Sequence, residues 1–289
     1  MNYDKGHCSP KSLRGNDNNN SCLNRKLLEK LAKILNNNPN CDHIDCKSND
    51  DNLHDNICEN MKKISDCTSE YCWLTVQDIV HKLKGPEIDE FKEHFRPKMP
   101  EDWISDKNKW LNTTDIDNVL LQYEKAYPEF EYLGAHPIDA HKCSVSDEVC
   151  NININDLLKN KKKQVGIVFN TDDSAGEGEH WVSFYVDLVG KNRQGKPGAY
   201  YFDSVADKPQ KEIFDLVKKL KKQAKKKKMK LDFFYNDIQH QKKDTECGIY
   251  SMFFLTHMLS GIDFKKFVKE IKRDEFMEKY RKIFYVDLN

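Results

Sequence analysis

Apolar and polar positions divide the chain into a sparse first part and a dense second part. From the N-terminus to about residue 70 polar residues dominate, with Asn18-Asn19-Asn20 and Asn36-Asn37-Asn38 standing out. One stretch there has helical periodicity. Leu27, Leu28, Leu31, Ile34 and Leu35 fall on one face of a helix over 23–35. The rest of that part reads as loop or weak helix. A second amphipathic helix is predicted over 73–83, stopped by Gly85-Pro86. A third starts at Thr113 or Thr114 as cap and runs through Val119, Leu120 and Tyr123 to a stop before Pro128. The segment 134–156 reads as loop.

Strand patterns then take over. Val165 to Phe169 is a short apolar run, Trp181 to Leu188 is rich in β-formers, and Ala199 to Phe202 and Leu231 to Tyr235 supply two more strands. The glycine-rich stretch Gly190 to Gly198 reads as the connection between the second and third. Pro209 can open a helix reaching about Lys228. The apolar run Gly248 to Leu259 predicts a buried helix, and helices over 264–272 and 275–284 finish the chain. No internal repeat is visible. The expected class is α+β, with a mostly helical and irregular N-terminal arm over 1–108 and a core over 109–289 that holds a mixed sheet flanked by helices.

Composition narrows the possibilities. The 289 residues carry 47 basic and 47 acidic side chains, so bulk charge points to no partner. No apolar run approaches the ~20 residues of a membrane span, and Met1 to Asn20 lacks the apolar segment of a secretory signal. Without such a signal, the ten cysteines are expected to be reduced. Cys41-Asp-His43-Ile-Asp-Cys46, with His54, Cys58, Cys67 and Cys72, contains no CxxC, so scattered thiols are expected rather than zinc. Ten lysines between Lys211 and Lys230 read as the solvated face and end of a helix, where the dipole favours cations. They are not interleaved with aromatics, and no specific nucleic-acid binding is expected.

Three reactive residues stand at the edges of predicted elements. His180 opens the second strand after the loop Ser174-Ala-Gly-Glu-Gly178-Glu, Asp203 ends the third, and Cys247 lies where a loop enters the buried helix. These are the parts of a Cys/His/Asp nucleophilic site. A free thiol titrates near ~8.5, and a helix N-terminus with a neighbouring imidazolium lowers that value. His180 would take the thiol proton and return it to the leaving amine, and Asp203 would fix the imidazole. The Cys247 N–H and the side-chain amide of Gln241, six residues upstream, would form an oxyanion hole, whose donors are each worth ~10²–10³ in rate. Gly248 removes bulk beside the sulfur. Each residue alone has an ordinary structural reading: a small buried Cys, a packed His-Trp pair, an Asp-Ser helix cap. Their order, spacing and placement together favour the chemical one.

His180-Trp181, Asp203-Ser204 and Gln241-Lys-Lys-Asp-Thr-Glu-Cys247-Gly248 resemble the signature of the ubiquitin-like-protein (SUMO) proteases and adenain. Trp110-Leu111-Asn112 resembles the element that opens their catalytic core. Within that clan, the blocks from Phe169 to Trp181, Val186 to Gly190 and Ile238 to Gly248 resemble the polyprotein-processing branch of large DNA viruses, over roughly Trp110 to the C-terminus. That branch carries Asn where this chain has Asp203; either residue can orient an imidazole.

The resemblance implies a cysteine endopeptidase that cuts viral structural polyproteins after Gly-Gly-Xaa sites during particle maturation, in host cytoplasm and virion, with no cofactor or metal. Deconjugation of host ubiquitin or SUMO is the alternative. It further implies that Trp181 walls a narrow substrate tunnel and that Asn170 binds substrate backbone. A clan acyltransferase fits the Gln241 and His-Trp positions less well, and a dead scaffold would not need all four catalytic residue types.

Overall fold

A computed structural model describes residues 7–15, 21–67 and 69–286. By contacts the chain divides into two compact units, Met1–Met99 with Lys282–Asn289, and Pro100–Arg281.

The first unit is helical. Arg25–Leu35 buries Leu27, Leu28, Leu31, Ala32 and Leu35, as its periodicity requires, and Asn24 caps it by accepting from the Leu27 N–H. Asp50–Ile64 is a second long helix, where the polar pattern predicts loop or weak helix. Its apolar face is only Leu53, Ile57 and Met61, joined by a buried Asn60, too thin a stripe to stand out in a polar segment. The helix expected over 73–83 is two short turns, Glu70–Trp73 and Gln77–Val80. Gly85-Pro86 does not stop a helix but starts one, Gly85–Lys92, because proline in the first turn gives up only an N–H that would have no partner there.

The expectation of reduced thiols is overturned. Cys8–Cys22, Cys67–Cys72 and Cys143–Cys150 are disulfides, with Cα atoms 5.0, 5.5 and 5.1 Å apart, within the span a disulfide bridges. Cys41, Cys46, Cys58 and Cys247 remain free.

The second unit is built on a five-stranded mixed sheet in the order β1 (Phe130–Pro137), β2 (Gln164–Asn170), β3 (Trp181–Asp187), β4 (Gly198–Phe202), β5 (Asp232–Tyr235). The outer pairs β1/β2 and β4/β5 are parallel; β2/β3 and β3/β4 are antiparallel. The segment 134–156, expected to be loop, instead holds the second half of β1, the short helix Asp147–Cys150 and the start of the helix Ile154–Lys159. The β1 register shifts between Tyr132 and Ala135, around Gly134 at φ +93°, and that irregularity breaks the alternation by which a strand is read.

The two faces of β3 show the layering. Val182, Phe184 and Val186 join a core with Ile213, Leu216, Val217 and Leu220 of the helix Lys211–Lys226. Lys218, Lys221, Lys222 and Lys225 lie exposed on that helix. Trp181, Ser183 and Tyr185 point the other way, towards the helix Cys247–Leu259. The Tyr185 hydroxyl donates to the Met258 carbonyl (3.4 Å), and Phe254 stacks on Phe202. Apart from His257, every residue of that helix is buried, which explains its apolar run. Among the described residues no helix is long and apolar enough to cross a membrane.

Candidate functional site

The antiparallel register sets Ser183 opposite Phe202. The start of β3 and the end of β4 therefore share one edge of the sheet. His180 directly precedes β3 and Asp203 directly follows β4, so the folding of two strands brings them together. His180 Nε2 and Asp203 Oδ1 are 2.9 Å apart. Asp203 is itself fixed. Its Oδ1 accepts the Val205 N–H (2.8 Å), and its backbone N–H donates to Asn236 Oδ1 (2.9 Å), whose Nδ2 donates back to the Asp203 carbonyl (2.6 Å).

The Cys247 thiol is the second side-chain partner of the His180 ring. Burial opposes charge on this imidazole, but hydrogen bonding to Asp203 and Cys247 outweighs it and pushes His180 up to about 10. That raised hold on a proton favours the charged form of the ring, and the Cys247 side chain is buried. Cys247 is the first residue of its helix, where backbone N–H groups have no intrahelical acceptor. Glu246, the capping residue, makes no side-chain bond to them. The positive end of the helix is open at the sulfur.

Gln241 is buried and held at both ends of its carboxamide. Oε1 accepts from the Ser204 hydroxyl (2.6 Å), and Nε2 donates one hydrogen to the Lys243 carbonyl (2.6 Å). The second Nε2 hydrogen is left for another acceptor. The Gln241 and His240 backbone N–H groups both donate to the Ser204 carbonyl (2.9 Å each), pinning this loop beside the end of β4.

Trp181 and Gly248 meet at Leu111. The indole Nε1 donates to the Leu111 carbonyl (2.8 Å), and a Cβ on Gly248 would lie 2.7 Å from Leu111 Cδ1. Glycine here lets Leu111 pack close beside the nucleophile position; any larger residue would push the Leu111 side chain aside. Trp110, Leu111, Asn170, Gly176, Gly178 and Trp181 help line a cleft of about 410 Å³. Asn170 has its Oδ1 occupied by the Asp172 and Glu179 N–H groups (3.0 Å each), so it shapes the glycine loop at the cleft mouth and has its amide N–H groups for other contacts. A second cleft, of about 850 Å³, is lined by His180 together with Glu179, Asp203, Asp207 and Lys208.

The other candidate histidines are placed elsewhere. His240 Nε2 bonds the Val268 carbonyl (2.9 Å) and His257 Nδ1 the Phe253 carbonyl (2.8 Å); burial lowers the affinity of both for a proton. Sequence reasoning missed Asn236, which holds the Asp203 backbone, and the pair Glu246–Arg281 behind the cysteine. Ser204 was visible as half of Asp203-Ser204, but its grip on Gln241 was not. Asn236 sits just past β5 and carries no local signal.

This chain is similar to known proteins over nearly its full length. Residues 150–289 match the model of the Ulp1 protease family, C-terminal catalytic domain. A predicted thiol protease of Acanthamoeba polyphaga mimivirus is 31% identical, over 96% of this chain and 92% of its own length. The SUMO-1 cysteine protease of African swine fever virus is 24% identical, over 91% of this chain and 90% of its own. A crystal structure of the African swine fever virus protease superposes with a TM-score of 0.72 at 21% identity, covering 96% of this chain and 95% of that one, and so shares the fold.

Proposed function

The chain belongs to the Ulp1 protease family and is a cysteine protease, and we propose that Cys247 is its nucleophile, His180 its acid–base and Asp203 the orienting group. The observation that carries this reading is the meeting of two features: an imidazole kept charged by Asp203, and a thiol at an uncapped helix N-terminus. Separately each is common; together they supply a proton carrier and a helix end suited to a sulfur nucleophile that attacks a carbonyl.

In the first half-reaction the Cys247 sulfur bonds to the scissile carbonyl carbon, and the carbonyl oxygen becomes an oxyanion. The Cys247 N–H and the free Nε2 hydrogen of Gln241 stabilise it. The tetrahedral intermediate collapses, the C–N bond breaks, and the His180 proton goes to the departing amine. In the second, a water gives its proton to His180 and its oxygen to the thioester carbon. The second tetrahedral intermediate collapses, the C–S bond breaks, the acid product leaves, and the Cys247 sulfur is restored beside protonated His180.

The substrate class in this proposal is a viral structural polyprotein cut after Gly-Gly-Xaa during particle maturation, in host cytoplasm and virion. The family resemblance supports it, and so does the cleft. Its walls include Trp110, Leu111 and Trp181, and a substrate segment without side chains lets its backbone pass between such walls. A second reading, cleavage of a ubiquitin-like conjugate, is favoured by the name of the swine fever virus relative, a SUMO-1 cysteine protease.

Two substrates tried in parallel decide between these readings: a peptide with an internal Gly-Gly-Xaa bond, and ubiquitin or SUMO carrying a fluorogenic C-terminal amide. Turnover of the peptide alone supports polyprotein processing. Far higher efficiency on the ubiquitin-like substrate moves the function to deconjugation. Activity retained by Cys247→Ala on either substrate overturns the catalytic assignment.

A further inference from the structure

The residue before Cys247 is a fully buried carboxylate, Glu246. It occupies the cap position of the nucleophile helix, where a side-chain acceptor would ordinarily bond the first free N–H groups. Here the carboxylate is turned away. Arg281 Nε donates to both oxygens, at 3.0 and 2.9 Å, and Arg281 Nη2 donates to the Thr245 carbonyl at 3.3 Å. The guanidinium lies over the Trp103 ring, 4.4 Å from its centroid, and is nearly as buried as its partner.

The charge balance matters for the chemistry. A carboxylate one residue from the sulfur opposes formation of a thiolate, and again opposes the oxyanion, because like charges at short range disfavour one another. A carboxylate free to swing would also accept from the N–H groups that the sulfur and the oxyanion need. Of the other charges nearby, Glu278 on the same helix as Arg281 is itself paired with Lys243 (2.7 Å), and Asp115 on the helix Thr113–Ala126 interacts with both Arg281 and Lys109. Arg281 is the cation in contact with the Glu246 carboxylate. His180 faces the sulfur itself.

We propose that Arg281 is a positioning residue for the reaction, holding Glu246 off the helix N-terminus and cancelling its charge so that the free N–H groups and the positive helix end serve Cys247. This rests on Cys247 being the nucleophile. The pair also ties the loop 241–247 to the helix Asp274–Phe284. The Lys242 N–H joins the same tie by donating to Asp274 Oδ2 at 3.0 Å.

The test uses the full chain with Arg281→Met, Glu246→Gln and the double variant. Two quantities are read: kcat/KM on the cleaved substrate, and the pH profile of Cys247 alkylation by iodoacetamide, with the modified residue identified by mass spectrometry. Arg281→Met should lower kcat/KM about tenfold or more and move the half-maximal pH of alkylation up by about one unit. Adding Glu246→Gln should return both towards the parent, since the uncompensated charge is then gone. Should Arg281→Met not fold, Arg281→Gln keeps a donor for the carboxylate and should move the profile in the same direction. A folded Arg281 variant that loses activity with an unmoved alkylation profile overturns the proposal, as does a folded double variant with no rescue. Alkylation at another cysteine, or activity surviving Cys247→Ala, would instead remove the nucleophile assignment and so is distinguishable from failure at Arg281.

Discussion

Two places among the described residues bring together a thiol, an imidazole and a carboxylate. In the second unit they are Cys247, His180 and Asp203. In the first they are Cys58, His54 and Glu70. Cys58 Sγ lies 3.8 and 3.7 Å from the His54 ring nitrogens, and His54 Nε2 is 3.0 Å from Glu70 Oε1. Glu70 is held by the Ser21 hydroxyl and by the Cys22 N–H (2.8 Å). Both imidazoles are pushed up to about 10, His54 chiefly by Cys58 and then Glu70, and His180 by Asp203 and Cys247 against burial.

Residue type and histidine charge therefore fail to tell the two clusters apart. Helix position does. His54 and Cys58 sit four residues apart inside the helix Asp50–Ile64, where backbone N–H groups are already committed to intrahelical bonds. Cys247 begins its helix, and its N–H groups are free for a sulfur anion or an oxyanion. In the proposed function the reacting thiol stands at the end of a helix, whereas His54 and Cys58 in mid-helix, with Glu70 from the start of the helix Glu70–Trp73, form a clasp.

The sharpest way to break this contrast is to remove each thiol. Cys247→Ala should cost on the order of 10⁴-fold or more in kcat/KM, whereas Cys58→Ala should leave kcat/KM unchanged; equal losses would erase the distinction. Next in size, Gln241→Ala should lower kcat by ~10²–10³ with a smaller change in KM, as expected for a donor used mainly on the oxyanion. Asp203→Asn sharpens the electrostatic half. Activity of the parent needs the charged His180 and should fall as pH rises through about 10. Removing the Asp203 charge lowers the imidazole's hold on its proton, so the alkaline limb of kcat/KM should move to lower pH, towards the ordinary histidine value of ~6.5.

The smallest effect tests the clasp. His54 binds its proton more tightly folded than unfolded, so its contribution is complete below pH ~6.5 and is lost as pH rises towards about 10. Urea melts of the parent should show stability declining across that window. His54→Gln should be less stable by about 1–3 kcal/mol at the acidic end and show a flatter pH dependence, with cleavage unaffected.

Much of the second unit is legible in its sequence because β2, β3, β4 and the helix Cys247–Leu259 are buried almost throughout: β2 and the helix read as apolar runs, and β3 and β4 as stretches rich in β-formers. β1 is hidden because its alternation breaks at Gly134 and it lies at the edge of the sheet, half polar. Asp50–Ile64 is hidden because few of its positions face the core. The disulfides are hidden for a different reason: cysteine spacing does not set connectivity, and the absence of a signal segment argues only about compartment.

The site follows the same division. His180, Asp203, Gln241 and Cys247 are readable because each flanks a predicted element in a familiar order. Arg281 lies 35 residues beyond Glu246, on a helix whose surface residues look like any others, and only folding aims its guanidinium at that carboxylate. Asn236 is invisible for the same reason.

The central claim, that the helix-end thiol and not the mid-helix one is the nucleophile, is tested most directly by a peptide ending in Gly-Gly with a C-terminal electrophile, followed by mass mapping of the labelled cysteine. A single adduct should form on Cys247, abolished in Cys247→Ala and slowed in Asp203→Asn. An adduct on Cys58, or labelling that persists without Cys247, would contradict it.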